Sequence, residues 1–159
     1  MTYGDNPLKG RTIYAALAEA ASHRSRRKKI ETLHKYSCAN LKTILDYTFN
    51  PKVHWLLPEG VPDFKPCKDV PANMVHRLQQ DVKKLPIFLN IGPYPNMSRT
   101  KRESIFIGML ESIHPDDANL LCTIKGKKLP FDNLTKEVIA EAFPILASKW
   151  TDDDKKAKE

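Results

Sequence analysis

Arg24, Arg26, Arg27, Lys28 and Lys29 put five bases into six positions, the densest positive charge in the chain. Such side chains attract phosphates by field alone, whatever the base sequence beneath them. A second cluster, Arg99, Lys101 and Arg102, follows the turn-rich "GPYPNMS", with Tyr94 placed to stack on a base. Cations at a helix start oppose the backbone dipole, so an anion is welcome there. Lys125, Lys127 and Lys128 fall at a predicted helix end, where the dipole alone accounts for them.

Other chemistry finds little support. His34-x-x-x-Cys38 has helical ligand spacing, and His54, Cys67 and His76 would have to converge on it. Recognisable zinc sites need paired short spacings, so His34 reads as a helix residue and Cys38 as a buried thiol, with no metal expected. Cys38, Cys67 and Cys122 are odd in number and form no C-x-x-C pair, which argues against a disulfide framework. No nucleophile elbow and no phosphate-cradling glycine loop occurs. Asp116-Asp117 complements a helix start, Asp152 to Asp154 belongs to a solvated tail, and His114 caps or packs. No catalytic residue and no cofactor is assigned; the enzyme question stays open, leaning towards none, since nothing in the sequence calls for one.

The elements that would carry these residues are helical. Thr12 can cap "TIYAALAEAA", and a second helix runs from Arg24 to about Tyr36. At about 100° per residue, Arg24, Lys28 and Lys35 share one edge within roughly 40°, opposite Ile30 and Leu33, and Arg26 points towards the apolar side. Asn40 can cap the next helix, with Leu41, Ile44, Leu45 and Phe49 on its buried face. Residues 50–71 then bring five prolines, which forbid a continuous helix. Trp55 and Phe64 lie in this strap, too apolar a stretch for a linker, and are expected to pack on the helices.

Met74, Val75, Leu78, Val82 and Leu85 predict a helix over Ala72–Leu85, stopped or bent at Pro86, with "PIFL" after it as a buried connector. Thr100 and Glu103 fit a capping box. Pro115 opens a helix that ends at Gly126, and Thr135 caps one that ends at Pro144. Ile145, Leu146 and Trp150 tuck back onto the core. The expected fold is all-α: a compact bundle of about six short helices with a long proline-rich irregular strap. Residues 1–23 form a lead-in and helix, 24–150 a single helical domain, and 151–159 a mobile charged tail.

Hydrophobic residues make up 41% of the 159, enough for a core, and no apolar run is long enough for a membrane. The start lacks the layout of a secretory signal, so the expected location is cytoplasmic. The net charge of +7 is uneven: residues 1–30 hold seven Lys/Arg against Asp5 and Glu19.

The stretches "NPKVHWLLPEGVPDFKP", "RESIFIGMLESIHPDDANLL" and "LTKEVIAEAFP" resemble a family of short proteins of large contractile-tailed (myovirus-type) bacteriophages. The resemblance covers about residues 25–146. That family has no established activity, so no functional residue carries over. The resemblance implies a setting: the cytoplasm of an infected bacterium, or a virion.

Three functions follow as expectations. The first is a non-enzymatic phage accessory protein that binds nucleic acid, or a nucleic-acid-processing machine, through the two basic clusters. The alternative is a module that binds and modulates a host or phage protein, in anti-defence or polymerase modification, with Trp55 and Phe64 as its surface. The third is a minor virion component. Oligomeric state is left open.

Overall fold

The computed structural model describes residues 7–66 and 75–150. The expected first helical turn at Ala72–Met74, Cys67 and the charged tail from Thr151 lie outside these residues. Local rules set most helix starts. Thr12 accepts the amide of Ala15 at 3.0 Å and opens α1 (Ile13–Ala21). Ser25 caps α2 (Arg26–Lys35) through the Lys28 amide, so Arg24 precedes the helix instead of sitting on its face. α3 (Ala39–Phe49) begins one residue before the expected cap, Asn40. Cys38 stands at its Ncap position and makes no side-chain capping bond.

The helix expected over Ala72–Leu85 is much shorter. α4 (Arg77–Asp81) gives way to a 3-10 helix over Val82–Phe88, with Pro86 inside it. The physical reason is spacing: a 3-10 helix aligns every third residue, and Val82, Leu85 and Phe88 are all buried. The connector therefore continues as a tight helix, and Leu89 just beyond it makes an isolated antiparallel bridge to Trp55.

α5 (Arg99–Ser112) is capped by Ser98, not by Thr100; the Ser98 hydroxyl accepts the Lys101 amide at 3.1 Å. α6 (Pro115–Ile124) opens with His114 Nδ1 accepting the Asp116 amide at 3.0 Å. Its exit is unexpected, because the left-handed residue is Lys127 (φ 66°) and not Gly126. Thr135 caps α7 (Lys136–Ala142), and after Phe143 residues 144–150 are helical again.

The described residues are thus all-α, with helices and one bridge. α1 packs on α2 and α6, α2 also on α7, and α5 on α6 and the 3-10 helix. Leu8, Ile13 and Leu17 share one hydrophobic core with Leu45, Phe88, Phe106 and Leu121. Each fully buried leucine contributes about 2 kcal/mol. Trp150 tucks in as expected, its Nε1 donating to Asp46 at 2.9 Å, whereas Ile145 is 85% exposed.

The strap is tied down along its length. His54 and Leu56 donate their amides to Asn90 Oδ1 and the Phe88 carbonyl at 2.8 and 2.7 Å. Lys127 Nζ donates to the carbonyls of Tyr47, Asn50 and Val53 at 3.3, 2.7 and 2.8 Å. Lys125 Nζ reaches the Pro58 carbonyl at 2.6 Å and that of Gly60. These two lysines, read from the sequence as dipole partners, in fact staple the strap to the bundle. Burial pushes the Lys127 ammonium down to about 8.

Candidate nucleic-acid interface

The α2 cluster begins in the turn after α1. Ser25 turns the chain into the helix, so Arg26, Arg27 and Lys28 occupy its first turn, with no acid among them. Their charges add to the positive end of the helix dipole. Arg26 Nε pairs with Glu141 on α7 at 2.9 Å, and Arg27 Nε pairs with Glu31 one turn along at 3.2 Å. Both pairs are exposed, so each contributes roughly 0–1 kcal/mol and exchanges readily for another anion. Arg24 and Lys28 are exposed, Lys29 is half-buried, and none of the three forms an ion pair among the described residues.

Near the other end of α2, Lys35 and Arg11 flank Glu19 at 3.6 and 3.7 Å, and the Tyr36 hydroxyl donates to the same carboxylate at 2.8 Å. The Tyr36 bond and these two cations hold the Glu19 carboxyl below its ordinary value. Arg11 and Lys35 also lie over the Tyr36 ring. Lys35, grouped by helical spacing with Arg24 and Lys28, is therefore already engaged.

The second cluster divides. Arg99 and Lys101 are exposed in the first turn of α5, again without an acid. Arg102 is not available to phosphate. It is 5% exposed, with Nε donating to the Ile87 carbonyl at 3.1 Å and Nη2 to the Tyr94 carbonyl at 2.5 Å. The cause is helical phase: Arg102 stands four residues before Phe106 and seven before Met109, on the buried face of α5. Nor do the clusters share a packed helix pair: α2 lies on α1 and α7, and α5 on α6 and the 3-10 helix. Tyr94 remains half exposed beside Lys101, on the rim of an open cavity of about 490 Å³.

The strap aromatics face inward. Trp55 is half-buried, with Nε1 donating to the Tyr47 carbonyl at 3.1 Å, and Phe64 is half-buried against the core. His34 donates from Nε2 to the Ala142 carbonyl at 2.6 Å, which ties α2 to α7. Among the described residues no three or more His, Cys, Asp or Glu side chains gather as a metal site, and Cys38 and Cys122 are free thiols. Likewise, no helix among them is long and apolar enough to cross a membrane.

Residues 16–130, about three-quarters of the chain, match a family of unknown function, DUF6433. The chain belongs to DUF6433. The match contains both basic clusters and the whole strap, and ends shortly before α7. No curated protein and no solved structure matches the chain. For this DUF6433 member, the interface must therefore be read from its own side chains.

One buried group escaped the sequence reading. Asp117, taken only as a partner of the α6 dipole, is fully buried, and its Oδ1 accepts the Tyr14 amide of α1 at 2.9 Å. Its Oδ2 has no hydrogen-bond partner. Burial pushes its carboxyl up to about 7, against the backbone bonds from Tyr14 and Ile13. The only sequence signal was the choice of acid at two successive positions, which the dipole explains equally well.

Proposed function

We propose that this protein is a non-enzymatic accessory factor of a contractile-tailed bacteriophage, acting in the infected cytoplasm by binding nucleic acid through the start of α2. The observation that carries the reading is the arrangement of Arg24, Arg27, Lys28 and Lys29. They surround the positive end of a helix, no acid stands in its first turn, and among the described residues only Arg27 is paired, weakly, with Glu31. Arg26 joins them when phosphate displaces Glu141. Arg99 and Lys101 form a secondary contact, with Tyr94 beside them. The phage setting rests on the sequence resemblance, and binding to phosphate alone predicts no strong base preference.

The test is fluorescence anisotropy with a labelled 30-nucleotide DNA, single- and double-stranded, at 50 and 200 mM salt. With about four phosphates engaged, affinity drops about 100-fold between the two conditions. The variant R24Q/R27Q/K28Q/K29Q flattens that dependence while its helical circular dichroism is unchanged. Absence of binding at 50 mM salt, or an unchanged salt slope in the variant, overturns the proposal.

A further inference from the structure

α3 turns Ala39, Lys42, Thr43, Asp46 and Tyr47 towards a groove of about 620 Å³. These positions repeat every three or four residues, so they form one continuous stripe about 12 Å long. The opposite wall comes from the far end of the chain, at residues 142–146 and Lys149. Phe143, 6% exposed, forms an apolar floor beneath Lys42, whose ammonium lies 6.0 Å from the ring centre. Ile145, on the wall, is the most exposed large hydrophobic among the described residues at 85%.

The charge of this groove is net positive, two lysines against one acid. Lys42 and Lys149 line it and form no ion pair among the described residues. The acid of the groove, Asp46, already accepts Trp150 Nε1 at 2.9 Å and Asn50 Nδ2 at 3.2 Å. An occupant must therefore cover Ile145 and Leu146 with an apolar face and bring negative charge to the two lysines. A phosphate backbone supplies the charge without the apolar face. Two copies of the chain meeting groove to groove would set like charges against each other.

We propose that the groove between α3 and residues 142–149 docks an amphipathic helix of a partner protein, its apolar stripe flanked by Asp and Glu. The stripe of α3 spans two helical turns, the length over which a partner helix presents anchors at i, i+3, i+4 and i+7. The partner's apolar residues cover Ile145 and Leu146, while its acids pair with Lys42 and Lys149. The lining of the groove includes none of the Arg24–Lys29 bases and neither of the inward-facing strap aromatics.

Two fluorescein-labelled 18-residue helical peptides test this on the full chain. Both carry leucine at i, i+3, i+4 and i+7; one has Glu on the flanks and the other Lys. The Glu peptide binds at least tenfold more tightly than the Lys peptide. K42E/K149E reverses the preference, and I145D, at an exposed position, weakens the Glu peptide about tenfold. Amide chemical-shift changes fall on Ala39, Thr43, Phe143 and Leu146. Failure of the Glu peptide to bind, equal affinity for both peptides, or a preference unchanged in K42E/K149E overturns the proposal. So does sedimentation showing a dimer that I145D dissolves, since a second copy then fills the groove. Amide chemical-shift changes at Lys42 and Lys149 on adding DNA overturn it as well, by making the lysines part of the phosphate surface.

Discussion

Replacing Asp117 with asparagine should make the protein more stable at pH 8 relative to the parent, and progressively less so as the pH falls. The carboxyl is fully buried, and burial raises it from 3.8 to about 7, with Asp116 adding a small repulsion. In the unfolded chain it titrates near its ordinary value. Between those two values the folded state holds a proton that the unfolded state has released, so stability falls as pH rises through this window. The contribution is fully present below the unfolded value and lost above about pH 7.

A rise of about three units corresponds to about 4 kcal/mol. Asparagine keeps an oxygen for the Tyr14 amide and carries no charge at any pH. Its amide hydrogens replace Oδ2, which has no partner in the parent either, so any penalty there does not vary with pH. Urea denaturation of both proteins from pH 4 to pH 8 reads the difference directly. The stability of D117N minus that of the parent should climb by about 4 kcal/mol across the range. A difference flat to within about 1 kcal/mol would refute the placement of Asp117 against the start of α1.

Four further substitutions test the packing that positions the site. R102M leaves the carbonyls of Ile87 and Tyr94 without their guanidinium donor and should lower stability by about 3 kcal/mol, roughly 6–12 °C in Tm, with the salt slope of DNA binding unchanged below the transition. K127M removes the donor shared by Tyr47, Asn50 and Val53 and should destabilise by about 2 kcal/mol; limited proteolysis should then cut faster within residues 50–66. Two glycines should respond in opposite directions in thermal melts. A Cβ at Gly92 would overlap the Pro86 carbonyl, so G92A loses 2 kcal/mol or more, on the order of other backbone clashes. Gly108, open on all sides within α5, gains about 1 kcal/mol as alanine.

What the sequence made legible was mostly local. The Thr12 and Thr135 caps, the Pro115 start of α6 and the apolar stripes of α3 and α7 are decided by residues within a turn or two of each other. The 3-10 helix was also within reach, because Val82, Leu85 and Phe88 stand three apart, a spacing that suits it better than an α-helix. Asp117 and Lys127 were misread because their partners are remote. Asp117 meets Tyr14, 103 positions away, and Lys127 meets Tyr47, 80 positions away. Each stood at a helix end where the dipole gave a sufficient local explanation, which removed the reason to look for a distant one. Arg102 failed because its charge was read without its phase: it stands four residues before Phe106, on the apolar face of α5.

These misreadings bear on how a basic composition should be converted into affinity. A net charge of +7 treats every lysine and arginine as available to an anion. In the folded chain Arg102, Lys125 and Lys127 donate to backbone carbonyls, while Arg11 and Lys35 share Glu19. Their charges persist in the field, yet their donors are committed to holding the loop, the strap and the first two helices. A phosphate can recruit a base closely only where releasing its present partner is cheap, as it is for Arg26 and Arg27 in exposed pairs. The surplus at Arg24–Lys29 is therefore different in kind from those five: the fold uses those as staples and leaves the α2 cluster at a helix start that repels it. That is the electrostatic reason to look for an anion at α2 before any other basic segment.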